Sequence, residues 1–188
     1  CIRDRATIVN NESSEIIRML GTAFDRQGAV EGDYYAADMR AEIDLVNERV
    51  YATLNNGVYR CGFAKSQAAY YEAFAALFAT LDWLENRLAE RRFVAGDRLS
   101  EADIRLFTTL ILFDAVYHGH FKCNARQLRD YPNLWDYTRQ IYQMEKVRPT
   151  VNFDHIKRHY YASHLDINPT GIVPLGPDID YEAANGRV

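Results

Sequence analysis

The chain has 188 residues, with 22 Lys and Arg against 26 Asp and Glu, for a net charge of −4. Apolar residues make up 48% and charged residues 26%, the proportions of an ordinary globular protein, which excludes disordered and fibrous chains. The mild acidity argues against a general nucleic-acid binder, which needs a basic face. The longest apolar run, Leu106 to Val116, carries two Thr and Asp114 and falls well short of the ~20 residues of a membrane span. The length suits one large domain, or one domain with part of another, and allows a sizeable core. Two features are unusual: the first residue is Cys1 rather than Met, and the 13 Tyr outnumber 9 Phe and 2 Trp together. The three cysteines, Cys1, Cys61 and Cys123, have no CxxC spacing, so neither a disulfide framework nor a zinc ribbon is expected. With no charged-then-apolar leader, the expected compartment is reducing and cytoplasmic.

In chain order, Ala6-Thr7-Ile8-Val9 is the one strand expected, short and β-branched, and Asn10-Asn11 breaks it. A helix follows from about Ser13 through Ile16, Ile17, Leu20 and Phe24, ended by Gly28 and Gly32. A second helix covers roughly Asp38 to Leu54, with Ile43, Val46, Val50 and Leu54 three or four apart. Asn55-Asn56-Gly57 predicts a stop and a turn, which leaves Val58 to Phe63 in a loop. The third helix, about Ser66 to Arg91, carries the stripe Phe74, Leu77, Phe78, Leu81, Leu84 and Leu88, and Gly96-Asp97-Arg98 is a turn. Ser100-Glu101-Ala102-Asp103 fits a capping box, with Leu99 and Ile104 at the two staple positions. The helix it opens, about Glu101 to Tyr117, is apolar on nearly every side, which puts it at the centre of a bundle. Another helix runs from about Leu134 to Met144, and Pro149 opens a last one through Val151, Phe153, Ile156 and Tyr160. Beyond Ser163 the period stops, and Pro169, Pro174 and Pro177 with Gly171 and Gly176 predict an extended tail laid on a surface. The fold expected from period and propensity is mainly α: a small β-then-α piece, then a bundle of five or six helices.

Few residue groups could carry chemistry. In Asn10-Asn11-Glu12-Ser13-Ser14 a strand enters, a polar turn follows and a helix begins. The free amides of such a helix start attract an anion, a Ser adds a hydroxyl, and Glu12 can accept from an ammonium, a combination that suits an amino-acid head. Ordinary N-capping by Ser or Asn explains the same pattern. Cys61 lies beside Arg60, and Cys123 lies between Lys122 and Asn124, where cations can lower a thiol pKa. His118-Gly-His120 and the pair His155/His159 are the metal candidates, the latter on one helix face. No acidic or cysteine partner accompanies them, so structural or solvated histidines and no metal are expected. Lys157-Arg158-His159 is expected to be a wet helix face, with attraction of an anionic ligand as its second reading.

Thr7 to Met19 resembles the glutathione-binding edge of the xi-class glutathione transferases, also called glutathionyl-hydroquinone reductases. The resemblance continues through Asn56 to Ala64, Leu99 to Phe107, Phe113 to Asn124, Val151 to Tyr161 and Ile167 to Gly171, and spans about Thr7 to Pro177. It implies a thioredoxin-like domain that binds glutathione and an all-helical domain that supplies the second-substrate wall. Residues 1–30 would then be the end of the first domain, keeping its last strand and helix, residues 31–165 the glutathione transferase C-terminal helical bundle, and residues 166–188 an extended tail. The family nucleophile is a cysteine in a Cys-Pro-Trp type motif, which these 188 residues lack. The resemblance thus implies a truncated chain that starts inside the first domain and is inactive alone, with Cys61 and Cys123 as bystanders.

By the same resemblance, Glu12 and Ser13 match contacts to the γ-glutamyl end of glutathione. Tyr59 matches the tyrosine that exchanges the proton of the hydroquinone oxygen, and Tyr117 and Tyr160 match two tyrosines whose hydroxyls face the catalytic cysteine and lower its pKa. A thiolate is the nucleophile of thiol exchange and donated hydrogen bonds stabilise it, while a phenol of pKa ~10 stays protonated and able to donate. From the residues alone, Tyr117 closes a buried helix and reads as core, and only one of Tyr160 and Tyr161 can face a given pocket. The other ten tyrosines are expected in core or interface. The implied activity is glutathione-dependent reduction of glutathionyl-hydroquinones in a homodimer, with glutathione as co-substrate and an aromatic conjugate as partner. The alternatives are a non-catalytic assembly module of the kind found in translation complexes, and a generic transferase using a Ser or Tyr from a first strand that this sequence does not contain.

Overall fold

The computed structural model describes residues 2–4, 7–29 and 32–187. Cys1, the Ala6 end of the expected strand and the expected boundary at residues 30 and 31 lie outside them. The chain opens with an antiparallel pair, β1 (Ile2–Asp4) and β2 (Thr7–Asn10), in the register Ile2↔Asn10, Arg3↔Ile8 and Asp4↔Thr7. The expected strand therefore has a partner. Ile-Arg-Asp is too short and too polar to show any alternation, so only its pairing reveals it. Helix α1 (Ser13–Thr22) follows. Its apolar residues Ile16 and Ile17 are half-buried, and Leu20 and the downstream Phe24 stay exposed.

The rest of the described residues form a helical bundle. Helix α2 (Arg40–Val50) passes into a π-turn at Tyr51–Asn55 and then into α3 (Gly57–Gly62). The stop expected at Asn55-Asn56-Gly57 does not occur, and Val58 to Phe63 is not a loop. Asn56 keeps a right-handed helical backbone, Gly57 and Val58 are buried, and the Asn55 side chain donates to the Arg105 carbonyl (3.2 Å) and to Thr109 Oγ1 (2.5 Å). Tertiary packing outweighs the local turn preference of Asn-Asn-Gly. Helix α4 (Gln67–Glu90) starts where Ser66 Oγ accepts from the Ala69 amide at 3.2 Å, an ordinary N-cap. Helix α5 (Glu101–Leu112) ends in a second π-turn at Phe113–Tyr117. Helix α6 (Pro132–Tyr142) and α7 (Phe153–Ser163) complete the bundle. Pro149 lies in a short 3-10 turn instead of opening α7. Val151 is extended and Asn152 caps the helix, its side chain accepting from the His155 amide at 3.0 Å.

Leu106 and Leu110 of α5 have no exposed surface and share one core with Ile43 and Val46 of α2, Leu77, Leu81 and Leu84 of α4, and Leu134 and Tyr137 of α6. Each such side chain contributes ~1.5–3 kcal/mol by burial, which explains why the most apolar helix is central.

Acidic side chains tie the helix ends together. Asp103 is fully buried and accepts from the Val94 amide (2.9 Å), the Ser100 amide (2.8 Å), Ser100 Oγ (2.7 Å) and Tyr137 Oη (2.8 Å). The capping box thus also serves as a hub joining α5 to α6. Asp114, the charge inside the apolar run, accepts from the Leu128 amide at 2.6 Å. Glu85 of α4 accepts from the first amides of α6, Asn133 (2.9 Å) and Leu134 (2.8 Å). Buried Glu101 receives Arg18 of α1 at 2.8 Å, Asn47 at 3.0 Å and Arg105 at 3.3 Å, so its charge is neutralised and α1 is fastened to the bundle.

From Ile172 to Asp180 the tail has no regular structure, and it lies against the bundle as expected. Tyr181 is buried and its ring stacks on Phe153 at 5.2 Å. At its end Arg187 donates to the carbonyls of Leu88 (2.9 Å), Arg91 and Arg92 (3.0 Å). Those carbonyls sit at the close of α4, where a helix has no partners of its own and favours a cation. Tyr131, Tyr137 and Tyr181 are core residues, as expected of the tyrosine surplus, whereas Tyr34, Tyr51 and Tyr71 are exposed.

Candidate active site

The tyrosines form a chain of hydroxyls. Tyr59 stands on α3, Tyr117 closes the second π-turn and Tyr160 lies on α7. Tyr160 Oη is 2.6 Å from Tyr59 Oη and 2.9 Å from Tyr117 Oη. The rings meet edge to face, Tyr59 and Tyr117 at 6.0 Å and Tyr117 and Tyr160 at 5.5 Å, an arrangement worth ~0.5–1.5 kcal/mol per pair. Both π-turns border this cluster, and such turns gather at functional sites. Tyr117 and Tyr160 are buried, while Tyr59 is 40% exposed. Burial above all pushes the Tyr117 and Tyr160 hydroxyls up, so both remain protonated at neutral pH. Tyr161 points elsewhere, toward the Ala115 carbonyl.

The three tyrosines line a cavity of about 830 Å³ that Glu12 and Ser13 also line. All five residues singled out in the sequence therefore meet in one space. Glu12 is the N-cap of α1 but its side chain makes no capping bond, and Asn10 Oδ1 instead accepts from the Glu12 amide at 2.7 Å. Ser13 opens the helix. Ordinary side-chain capping by Ser is thus absent, and the first amides of α1 stay available for an anion. Tyr51, Asn55, Arg105 and Thr108 also line the cavity. No motif marked these four as site residues: Tyr51 and Asn55 come from the first π-turn, and Arg105 and Thr108 sit one turn apart on α5.

The remaining candidates lie elsewhere. Cys61 and Cys123 are buried free thiols outside the tyrosine cavity. His155 and His159 are exposed on α7, and among the described residues no group of three or more His, Cys, Asp and Glu is placed to hold a metal ion. Lys157 is turned to the tail, donating to the Leu175 carbonyl at 2.7 Å, and Arg158 pairs with Asp154 at 2.8 Å, so this face is less free than expected.

His120 makes a contact that sequence spacing did not suggest. Its Nε2 is 3.2 Å from Nδ1 of His164, with the rings 18° apart. One shared proton fits between the two nitrogens and two do not. Burial, His164 and Lys122 lower the His120 pKa, and burial and His159 lower that of His164. The folded chain thus binds these protons more weakly than the unfolded chain. Stability is complete above the ordinary histidine value of ~6.5 and is lost as pH falls through the lower folded values. The melting temperature is expected to drop between about pH 7.5 and about pH 5.5. Replacing His164 by Gln should flatten that drop, and an unchanged slope would exclude the pair as its source.

A bundle with a capped central helix, entered by a strand–helix edge that faces a tyrosine-walled cavity, defines the helical half of a glutathione transferase. Residues 66–140 match the glutathione S-transferase C-terminal domain. The chain is 63% identical over 170 residues to the glutathionyl-hydroquinone reductase PcpF of Sphingobium chlorophenolicum, covering 90% of this chain and 54% of that protein. It is 54% identical over 181 residues to the glutathionyl-hydroquinone reductase YqjG of Escherichia coli K12, covering 96% of this chain and 55% of that protein. The glutathione-bound structure of YqjG superimposes with a TM-score of 0.94 at 53% identity, over 97% of this chain and 59% of that one. A xi-class glutathione transferase of Natrialba magadii gives 0.94 at 48% identity, over 98% and 56%. Over most of its length the chain is thus strongly similar to xi-class glutathione transferases and glutathionyl-hydroquinone reductases. It spans about half the length of the curated relatives it matches. No helix among the described residues is long and apolar enough to cross a membrane.

Proposed function

We propose that this chain supplies the tyrosine wall and the γ-glutamyl contacts of a glutathionyl-hydroquinone reductase. The observation that carries this reading is the Tyr117–Tyr160–Tyr59 hydroxyl chain lining the same cavity as Glu12 and Ser13. Three phenols have three protons. Two are spent on the two bonds inside the chain, and one remains for the ligand. Tyr59 is the exposed end, so the free proton is delivered there. The same count means that Tyr117 and Tyr160 donate to a thiolate only by giving up a bond to each other or to Tyr59.

In the proposed reaction a cysteine thiolate attacks the glutathione sulfur of the conjugate and breaks its bond to the ring. The hydroquinone leaves, protonated through Tyr59. A second glutathione attacks the mixed disulfide, releasing glutathione disulfide and restoring the thiolate. By the family resemblance this scheme assigns the thiolate to a Cys-Pro motif in a thioredoxin-like part, a pair that the 188 residues do not contain. Residues 1–30 belong with that part, residues 31–165 are the helical domain and residues 166–188 are its strap. The proposed compartment is the cytoplasm, which suits two free buried thiols. The proposed assembly is a homodimer, supported by the exposed apolar Leu165 and, in the tail, Ile172 and Leu175, and a sizing column that returns only monomer would exclude it.

The test joins the N-terminal half of YqjG to this chain and measures reduction of glutathionyl-menadione by glutathione. The chimera is expected to turn over and the chain alone to be silent. A folded, glutathione-binding chimera without turnover would overturn the reading, and turnover by the chain alone would overturn the placement of the thiolate.

A further inference from the structure

Tyr117 and Tyr160 belong to two segments that are tied together a second time. His120 lies just past the second π-turn, and His164 caps the end of α7 one turn after Tyr160. His120 Nε2 is 3.2 Å from His164 Nδ1, alongside the 2.9 Å contact between the two phenols. Both ends of this rung are fixed by backbone. The His120 amide donates to the Val116 carbonyl at 2.8 Å, and the Cys123 amide donates to the Tyr117 carbonyl at 3.0 Å. The His164 amide donates to the Tyr160 carbonyl at 3.3 Å, and the His164 carbonyl accepts from the amides of Ile167 (3.0 Å) and Asn168 (2.9 Å). Rings fill the space around the rung. His164 stands edge-on to Tyr160 at 5.4 Å, and buried Phe121 lies 5.8 Å from His164 and 5.5 Å from Tyr117, 19° from parallel to each. A further contact between the segments, Tyr161 Oη to the Ala115 carbonyl, is longer at 3.5 Å.

The state of this rung depends on its protons. One proton lies between the facing nitrogens when the pair is neutral. A first added proton can settle on a nitrogen that faces away, and the bond survives. A second has to enter the contact itself, where two N–H groups then oppose each other. The surroundings resist it. Lys122 acts on His120 and His159 acts on His164, each a cation or able to become one. Tyr161, 4.6 Å from His120, and Tyr160 are phenols, and Phe63 packs edge-on to His164 at 5.3 Å without a charge. Among the described residues no carboxylate acts on either ring. The carbonyl end of α7 favours one charge on His164 and gives nothing to a second charge on His120. Burial first, and then the neighbouring cations, hold both histidines below their ordinary value.

We propose that His120 and His164 are positioning residues for the tyrosine chain. Their hydrogen bond keeps α7 against the 113–123 segment, so that Tyr160 Oη stays within reach of both Tyr117 and Tyr59, and that reach is lost when both imidazoles are charged. Neither histidine lines the tyrosine cavity, so each acts through Tyr160 and not on a ligand. Hydrogen bonds of 2.6 and 2.9 Å join Tyr160 to its two neighbours. A shift of a fraction of an ångström in the central phenol weakens both and interrupts the proton path. The effect on turnover rests on the reductase reading of the cavity, and the tie itself does not.

The test reads the tie in this chain and its effect in the chimera. Tyrosines labelled with ¹³C at Cζ report the surroundings of each hydroxyl by NMR, with Tyr117→Phe and Tyr160→Phe assigning the two signals. Between about pH 7.5 and about pH 5 both signals are expected to move with the titration of the two imidazoles. His120→Phe keeps a ring and removes the bond, so its signals at about pH 7.5 should already match the acid form. His120→Gln offers a donor and an acceptor to either state of His164, so its signals should hold their neutral positions throughout. In the chimera, kcat of His120→Phe should fall about 10–100-fold, the range for a displaced group, with the KM for glutathione unchanged. His120→Gln should recover that rate and lose less of it in acid than the parent chimera. Tyrosine signals that ignore His120→Phe, or an acid shift that persists in His120→Gln, would overturn the proposal, as would an unchanged kcat for His120→Phe in an active chimera. A silent parent chimera would instead count against the reductase reading, and the tyrosine signals would still decide the tie.

Discussion

Asp103→Ala is expected to destabilise the chain by about 3–5 kcal/mol, the range for removing one partner from a buried charged network. Four donors converge on this carboxylate, two of them backbone amides, and Ala leaves all four without an acceptor inside the core. The loss reaches three elements at once, because the amides belong to the Val94 turn and to the start of α5 while Tyr137 belongs to α6. Asp103→Asn keeps one acceptor oxygen but turns an amide nitrogen toward donors, so it should cost somewhat less, about 2–3 kcal/mol. Urea unfolding checks both. With a slope of about 2 kcal/mol/M, the Ala midpoint should move down by about 2 M at unchanged slope. A shift below 0.5 M would mean that the four donors find other partners, by the same slope of about 2 kcal/mol/M.

Tyr160→Phe is expected to damage activity more than any other single loss of a hydroxyl. It removes the central member of the tyrosine chain, so Tyr117 Oη, in a residue only 3% exposed, and Tyr59 Oη both lose their hydroxyl partner. The stability cost should be about 1–3 kcal/mol for the orphaned Tyr117 hydroxyl. In the chimera with a thioredoxin-like half, kcat for a glutathionyl-hydroquinone should fall about 10²–10⁴-fold, the range of a lost proton transfer. The KM for glutathione should hold, because Glu12 and Ser13 are held at the start of α1 and not by the tyrosine chain. Tyr59→Phe separates the two effects: it takes away the same proton path at a half-exposed position and should spare stability. Full activity in both variants would remove the tyrosine chain from the mechanism.

The helices were legible where their signals are local. Ser66 and Ser100 cap α4 and α5 through neighbours three residues away, and the stripe from Phe74 to Leu88 follows from a single period. The Asn55-Asn56-Gly57 segment misleads because its decisive partners, Arg105, Thr109 and Leu77, are 20 to 54 residues distant. The convergence of Tyr59 on Tyr160 spans 101 residues, and no periodicity encodes it; the five site residues came from resemblance. The His-Gly-His sequence directed attention to His118 as the partner of His120, whereas folding selects His164.

The clamp that Arg187 places on the end of α4 bears on folding order. Its contacts to Leu88 and Arg91 close loops of 99 and 96 residues, about half the chain, for one side chain's hydrogen bonds. Loop-closure entropy for such a span is paid before the contact returns anything, so the strap settles after the helices have assembled around α5. Interactions made after the main barrier hold the native state by slowing its opening and leave the rate of formation unchanged. The tail therefore acts as a latch: α4 can form without it, and its last turn frays each time the latch lifts.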